Sequence, residues 1–234
     1  MQELIKLFEE TTQSKVISIN TLPTSGSNRR YYRILGEKET LIGAYGEVIE
    51  ENKAFITLSK HFAKQGINVA KLVSVSEDGH YYLQEDLGEI CLFDFIKQGR
   101  ETGTFSVDEK TMLKKTFTQL PKIQFEGAKN LDFSICFPQA EFNNRTIFWD
   151  LNYFKYNFLK PSGIEFNEEI LENEFEAFAK TLLQEKTNTF LYRDFQSRNI
   201  MIKNGEPYFI DFQGGRKGPI YYDVASFLYQ AKAN

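Results

Sequence analysis

Thiols and imidazoles are scarce in this 234-residue chain, which has two cysteines, Cys91 and Cys136, and two histidines, His61 and His80. The cysteines lack a C-x-x-C spacing, so neither a zinc site nor a disulfide framework is indicated. A reducing, cytoplasmic setting is the simplest expectation. Neither histidine stands near a candidate nucleophile, which leaves a hydrolase with a His-based triad poorly supported. Long apolar runs are missing too. No stretch approaches the roughly 18 residues that would cross a bilayer. The acidic, amphipathic start MQELIKLFEE is unlike a signal peptide. No membrane partner is expected. The net charge of −4 argues against a nucleic-acid binder that works by bulk electrostatics.

Aromatic rings are plentiful: 22 Phe and 12 Tyr can fill much of a core. Arginine is sparse but gathered. Of eight, three stand at Arg29, Arg30 and Arg33, and three more at Arg193, Arg198 and Arg216. An acidic chain that concentrates guanidinium groups in two short segments points to a local anion site. Scattered surface ion pairing is the plainer alternative.

Element signals change character along the chain. A short N-terminal helix leads to a strand-like segment over 16–22 and the polar loop "PTSGSNRR". "YYRIL" and "TLIGAY" follow as β segments separated by "GEKE". Phe55, Leu58 and Phe62 recur at helical spacing over 50–65. "KLVSVS" and "HYYLQ" flank "EDG", a hairpin signal. Beyond "QEDLGE" the pattern turns helical. Ser106 and Glu109 form a capping-box pattern that opens a helix through Leu113, Phe117 and Leu120. Pro121 is expected to kink or end it. Ile147, Leu151, Phe154 and Phe158 mark a second helix, and Leu171, Phe175, Phe178 and Leu182 a third, with these positions read as core. The expectation is an α+β chain of two lobes: residues 1–86 a small antiparallel β lobe, residues 87–234 a helical lobe, with a hinge near Asp86.

The most informative stretch is "LYRDFQSRNIMIKNGEPYFIDFQGG", residues 191–215. It reads as strands "FLY", "IMIK" and "PYFI", with a turn at Asn204-Gly205. Asp194, Asn199 and Asp211 interrupt apolar runs that need no polar groups. A hairpin returns its second strand beside its first, so Asp211 can approach Asn199. Carboxylate and amide oxygens converging at a lobe boundary suit Mg²⁺, which prefers oxygen ligands. Only two of the three need bind metal, and the third can take a proton from a substrate hydroxyl. That is the division of labour in kinases. The alternative, turn-capping Asp and Asn, fits the D-x-x-x-x-N match alone. It fits less well once strand, turn and "IDF" follow.

At these residues the sequence resembles the aminoglycoside phosphotransferase and choline kinase family, whose signature H-x-D-x-x-x-x-N stands here as "YRDFQSRN", followed by "FIDFQ". "TSGSNRRYYRI" and "YLQEDLG" look most like the bacterial anomeric kinases of N-acetylmuramate and N-acetylglucosamine. The resemblance implies a two-lobed protein-kinase-like fold, with Asp194 as catalytic base and Asn199 and Asp211 as Mg²⁺ ligands. ATP would sit at the lobe junction. The small-residue loop Ser25, Gly26, Ser27 and Asn28, with Arg30, would meet its phosphates through backbone N–H groups and charge. The hinge Gln84, Glu85 and Asp86 would meet the adenine edge or the ribose.

Three departures from the family pattern stand out. Tyr192 replaces the usual His. "TLIGAYG" lacks the phosphate-binding Lys, and Arg29, Arg30 or Arg33 is expected either to supply that charge or to brace the lobe interface. The chain also stops in the helix that begins near Asp223, so the C-terminal part of the helical lobe is expected to be missing, as in a chain with a further C-terminal segment. The activity implied is ATP-dependent phosphorylation of a small molecule, a sugar or amino sugar. The alternative is a pseudokinase-like nucleotide-binding module that regulates a longer polypeptide. Resistance to aminoglycosides is possible by fold analogy, which cannot choose a substrate.

Overall fold

Alternating apolar residues in the first third of the chain fold as a sheet with two different faces. The computed structural model describes residues 1–23, 29–185 and 188–230. Helix α1 (Gln2–Thr12) precedes β1 (Val16–Thr21), β2 (Arg30–Gly36) and β3 (Thr40–Tyr45). Helix α2 (Ile49–Lys64) then leads to β4 (Leu72–Val75) and β5 (Tyr81–Glu85). The strands are antiparallel in the order β1-β2-β3-β5-β4. Successive side chains point to opposite faces. Tyr32, Ile34, Leu41 and Leu83 therefore pack on Leu4 and Phe8 of α1, while Ala44 and Tyr82 meet Phe55, Leu58 and Phe62 of α2. The β4–β5 turn falls on "EDG", where Asp78 accepts from Ser76 Oγ at 2.6 Å and from the His80 N–H at 3.0 Å. Gly79 there sits at φ +74°, a region open to glycine at no steric cost.

The second lobe holds α3 (Leu92–Phe95), α4 (Lys97–Thr102), α5 (Val107–Pro121), α6 (Asn144–Phe154) and α7 (Glu168–Leu182). It closes with β6 (Thr189–Leu191), β7 (Ile200–Lys203), β8 (Glu206–Phe209), β9 (Arg216–Gly218) and α8 (Ile220–Leu228). These strands form two small sheets, β6-β9 and β7-β8. The architecture is α+β, as expected. The capping box of α5 forms in both directions: the Ser106 N–H donates to Glu109 Oε2 at 2.7 Å, and the Glu109 N–H to Ser106 Oγ at 3.2 Å. The α-helix ends at Pro121, and Lys122–Glu126 continues as a π-helical turn.

Three positions read as core are exposed instead. Phe154, Phe158 and Phe178 are 43%, 59% and 51% accessible. After α6 the chain runs on as a π-helical turn, Lys155–Leu159. Its extra residue per turn rotates the buried stripe, so Lys155 and Leu159 go inside in place of the two phenylalanines. Helix α7 buries Phe175 and Ala179 and leaves Phe178 off that line.

The main core runs without interruption across the lobe boundary, from Ala44, Phe55, Phe62 and Tyr82 to Phe190, Phe195, Phe209 and Phe212. Phe62 meets Phe190 and Phe212 edge-on, with ring centroids 4.9 and 5.2 Å away. Phe62→Ala is expected to cost about 3–5 kcal/mol. Both lobes should still unfold together in urea, followed by far-UV circular dichroism and by the fluorescence of Trp149 on α6. Two separate transitions in the wild type would show that the lobes do not share this core.

Candidate active site

The β7–β8 hairpin turns on Asn204 and Gly205, at φ 53° and 73°. That conformation matches the twist of paired strands. Its register sets Ile200 opposite Phe209, and one step beyond, the Ile210 N–H donates to the Asn199 carbonyl at 3.0 Å. Asn199 and Asp211 are thereby neighbours. Asn199 Nδ2 donates to Asp211 Oδ2 at 3.3 Å and to the main-chain oxygen of Asp194 at 3.0 Å. The three residues singled out in the sequence thus come together. Arg193 and Asp211 hold φ values of 76° and 66°. Left-handed backbone at non-glycine positions costs on the order of 1–3 kcal/mol and persists only where the surroundings enforce it.

Helix α8 does much of the enforcing. The Asp223 carboxylate, fully buried, accepts the main-chain N–H of Tyr192 at 3.1 Å and of Arg193 at 2.9 Å, and Gln124 Nε2 at 2.9 Å. Ser226 Oγ donates to the Arg193 carbonyl, and Gln230 Oε1 accepts from the N–H and hydroxyl of Ser197. Asp223 and Ser226 lie three residues apart on one face of the helix, and Gln230 follows just past its end. Tyr192, where the family has His, is buried and donates its hydroxyl to the carbonyl of Ile210, the residue before Asp211. It links the loop to the hairpin without touching the cleft.

Burial, with Asp211 beside it, pushes the Asp194 carboxyl above the ordinary carboxylate range. A Cβ at Gly214 would lie 3.8 Å from both Asp194 Oδ2 and Arg193 Cδ. Arg193 Nη2 pairs with Asp150 of α6 at 3.2 Å, and the Tyr222 hydroxyl donates to the same carboxylate at 3.4 Å. Arg216, at the start of β9, donates Nε and Nη2 to the Gly214 carbonyl at 3.2 and 3.0 Å.

A cavity of about 580 Å³ opens between the lobes and reaches Asn199 and Asp211. Strand alternation decides which arginines enter it. Arg29, Tyr31 and Arg33 line the cavity, while Arg30, one step out of phase, is exposed and lies outside the lining. Arg29 therefore lines this cleft, as do Arg33 and Arg198, whereas the Arg30 named from sequence does not. Arg29 is buried, donates to the Glu51 carbonyl of α2 at 2.9 Å, pairs with the Glu51 carboxylate at 3.5 Å and lies over the Phe55 ring. Arg33 instead braces the hinge, binding Asp86 at 2.7 Å and Glu89 at 2.6 Å.

Gln84, Glu85 and Asp86 line the cavity. Glu85 is held by Lys203 at 2.6 Å, and Lys203 also donates to the Asp86 carbonyl at 3.0 Å. Both hinge carboxylates are thus tied up in bracing. Ser25, Gly26, Ser27 and Asn28 lie outside the described residues.

The donors present fit Mg²⁺ in one particular way. Among the described residues no group of three or more His, Cys, Asp and Glu is placed to hold a metal. Asn199 and Asp211, whose side chains carry oxygens, line the cleft, and an ion that keeps waters and takes phosphate oxygens needs no more than two such residues from the protein.

Comparison with known proteins agrees with this geometry. Residues 149–233 match the APH family, described as "Phosphotransferase enzyme family". The N-acetylmuramate/N-acetylglucosamine kinase of Pseudomonas aeruginosa is 24% identical over 94% of this chain and 63% of its own length. The enzyme of the same name from Neisseria meningitidis is 24% identical over 70% of this chain and 47% of its own. The chain therefore spans less than two thirds of either relative. Choline kinase LicA from Streptococcus pneumoniae superposes with a TM-score of 0.64 at 16% identity, covering 97% of this chain and 76% of that one. A mutant aminoglycoside phosphotransferase APH(4)-Ia, in ternary complex with ADP and hygromycin B, gives 0.61 at 14% identity, over 96% and 75%. The resemblance read from the sequence is borne out. The fold is kinase-like, and residues 149–233 are similar to the APH phosphotransferase family.

Burial raises the Asp223 carboxyl to about 6, against hydrogen bonds that favour the charged form. Its value in the unfolded chain is about 4. Between those pH values the folded state keeps a proton that the unfolded state has released. The stability this group contributes therefore falls as pH rises from about 4 to about 6 and is level above. Asp223→Asn, which turns an acceptor oxygen into a donor facing two N–H groups, should cost about 1–3 kcal/mol near neutrality. The gap to wild type, measured by urea unfolding across this range, should narrow as pH rises. A constant gap would show that Asp223 does not titrate there.

Proposed function

We propose that this chain is the nucleotide-binding and catalytic portion of an ATP-dependent kinase that phosphorylates a hydroxyl of a small molecule, a sugar or amino sugar. The observation that carries this reading is the convergence of Asp194, Asn199 and Asp211 beside an interlobe cavity. The names of the curated relatives support a sugar acceptor, and the ADP complex of a fold relative supports ATP as donor.

In this reading the adenine rests against the hinge at Gln84, Glu85 and Asp86, and the phosphates point toward Arg29 and the loop of Ser25, Gly26, Ser27 and Asn28. Arg29, paired with Glu51, takes the part of the absent strand lysine. Asn199 and Asp211 would hold Mg²⁺, which when bound neutralises charge on the phosphates. Asp194 orients the acceptor hydroxyl and takes its proton as the new O–P bond forms. The bond between the γ-phosphorus and its bridging oxygen breaks, and ADP leaves. Positioning and charge neutralisation supply most of the rate, and the base a further 10²–10⁴-fold, roughly. A cytoplasmic setting, where ATP is at hand, follows from the same reading. The regulatory-module alternative would leave the proton-accepting Asp194 without a use.

Two substitutions, tested on the full polypeptide with Mg·ATP, separate the roles. Asp211→Ala should remove Mg²⁺-dependent nucleotide binding while the protein stays folded. Tight Mg·ATP binding by that variant would take Asp211 out of the metal site. Asp194→Asn should lower turnover by about 10²–10⁴-fold and spare ATP affinity. The raised Asp194 carboxyl should also set the acid limb of the wild-type kcat/KM profile above the usual Asp range, and that limb should vanish in the variant. Unchanged turnover would leave Asp194 as a structural residue.

A further inference from the structure

Of the three hinge residues that line the interlobe cavity, two have their side chains engaged: Lys203 holds Glu85, and Arg33 holds Asp86. The third, Gln84, is different. It is only 8% accessible, and its Oε1 has no hydrogen-bond partner among the described residues. A buried amide oxygen without a donor costs free energy until one arrives.

Strand pairing shows which way that amide points. Gln84 stands opposite Ile42 of β3, which stands opposite Arg33 of β2, and residues directly opposite share a face. Arg33, Ile42 and Gln84 line the cavity together. Leu83, one step out of phase, packs against α1 instead. The amide is therefore on the cleft side of the sheet. Ile42 and Ala70 of the first lobe and Met201 and Phe209 of the second give the same cavity apolar walls. A flat heteroaromatic ring suits such walls, and the few polar groups among them fix its orientation. An amide presents a donor beside an acceptor. Adenine matches that pair on the edge carrying N7 and the 6-amino group, whereas guanine sets two acceptors, N7 and O6, on the same edge. Half a turn about the last side-chain bond exchanges Oε1 and Nε2, yet against guanine Oε1 still faces an acceptor.

We propose that the Gln84 side chain selects the base of the phosphate donor: Oε1 accepts from the 6-amino group of adenine, and Nε2 donates to its N7. Gln84 is then a specificity residue, and 6-oxopurine nucleotides are disfavoured because they leave Oε1 without a donor. This rests on the kinase reading above, which puts ATP in the cavity without saying what tells it from GTP.

The test titrates the full polypeptide, with Mg²⁺ present, by calorimetry. The ligands are non-hydrolysable triphosphates of adenosine, guanosine, inosine and 7-deazaadenosine, and the proteins are wild type, Gln84→Met and Gln84→Glu. Phosphoryl transfer from ATP and from GTP to N-acetylglucosamine and N-acetylmuramate is followed in parallel. Wild type should bind the adenosine compound about 10–100-fold more tightly than the guanosine and inosine compounds, the range of one bidentate pair. The 7-deaza compound keeps the amino group and lacks N7, so it should fall between. Gln84→Met, similar in size and apolar, should bring the adenosine-to-guanosine ratio near unity. Gln84→Glu keeps an acceptor but has no donor for N7, so it should bind adenosine and 7-deazaadenosine compounds alike. If Gln84→Met does not fold, the wild-type series and the glutamate variant still decide. A wild type that binds adenosine and guanosine compounds equally, or a preference that survives Gln84→Met, overturns the inference and leaves the kinase reading standing. So does an equal weakening of every compound in Gln84→Met, which would make Gln84 part of the cavity wall only. Adenine selection that depends on Gln84, without phosphoryl transfer to either sugar, would support the inference and sink the sugar-kinase reading alone. Failure to bind any of these nucleotides would overturn both.

Discussion

A single buried carboxylate sets the shape of the site. Asp223 accepts the N–H groups of Tyr192 and Arg193 and so fixes the loop that carries Asp194 to helix α8. A backbone at φ 76° at Arg193 would relax if those bonds were lost. Tyr192 then passes the constraint on, since its hydroxyl reaches the carbonyl that precedes Asp211. Its ring packs among Phe195, Phe209 and Phe212. Charge placement and core packing are therefore one construction here: the rings that fill the helical lobe are those that hold the polar residues at its mouth.

The arginine clusters divide their labour by strand phase. Alternation of side chains sets Arg29 and Arg33 toward the cavity and Arg30 away from it. Arg29 faces the cleft with Glu51, Arg33 clamps the hinge to Asp86 and Glu89, and Arg30 points away. The second cluster is parted by a turn rather than by alternation. Arg193 leaves the loop toward Asp150, Arg198 lies over the Phe93 ring at 4.2 Å, and Arg216 is drawn beneath Gly214. Counting arginines found the two places. It could not assign the roles.

Much of the architecture was legible because its signals are local. The hairpin at Asn204-Gly205, the "EDG" turn and the box at Ser106 and Glu109 each depend on residues within a few positions of one another. The convergence of Asn199 with Asp211 was readable for the same reason, since a tight turn fixes the register of its two strands. Strand β9 was not foreseen. "RKG" carries no strand signal, and it pairs with β6 because glycine at 215 and 218 lets the backbone lie against Phe190 and Leu191.

The sequence by itself determined which residue types were available for chemistry and, through turns and caps, which of them would be neighbours. It determined that Asp194, Asn199 and Asp211 would come together. Tertiary structure decided which face each side chain took and what held it there. A π-helical turn after α6 exchanged two phenylalanines for Lys155 and Leu159 in the interior, a shift that helical periodicity cannot signal. Helix α8 brought Asp223 to a loop some 30 residues earlier in the chain, and burial then raised its carboxyl. Such a shift depends on how much protein surrounds a group and which partners it meets, quantities that exist only after the chain has folded.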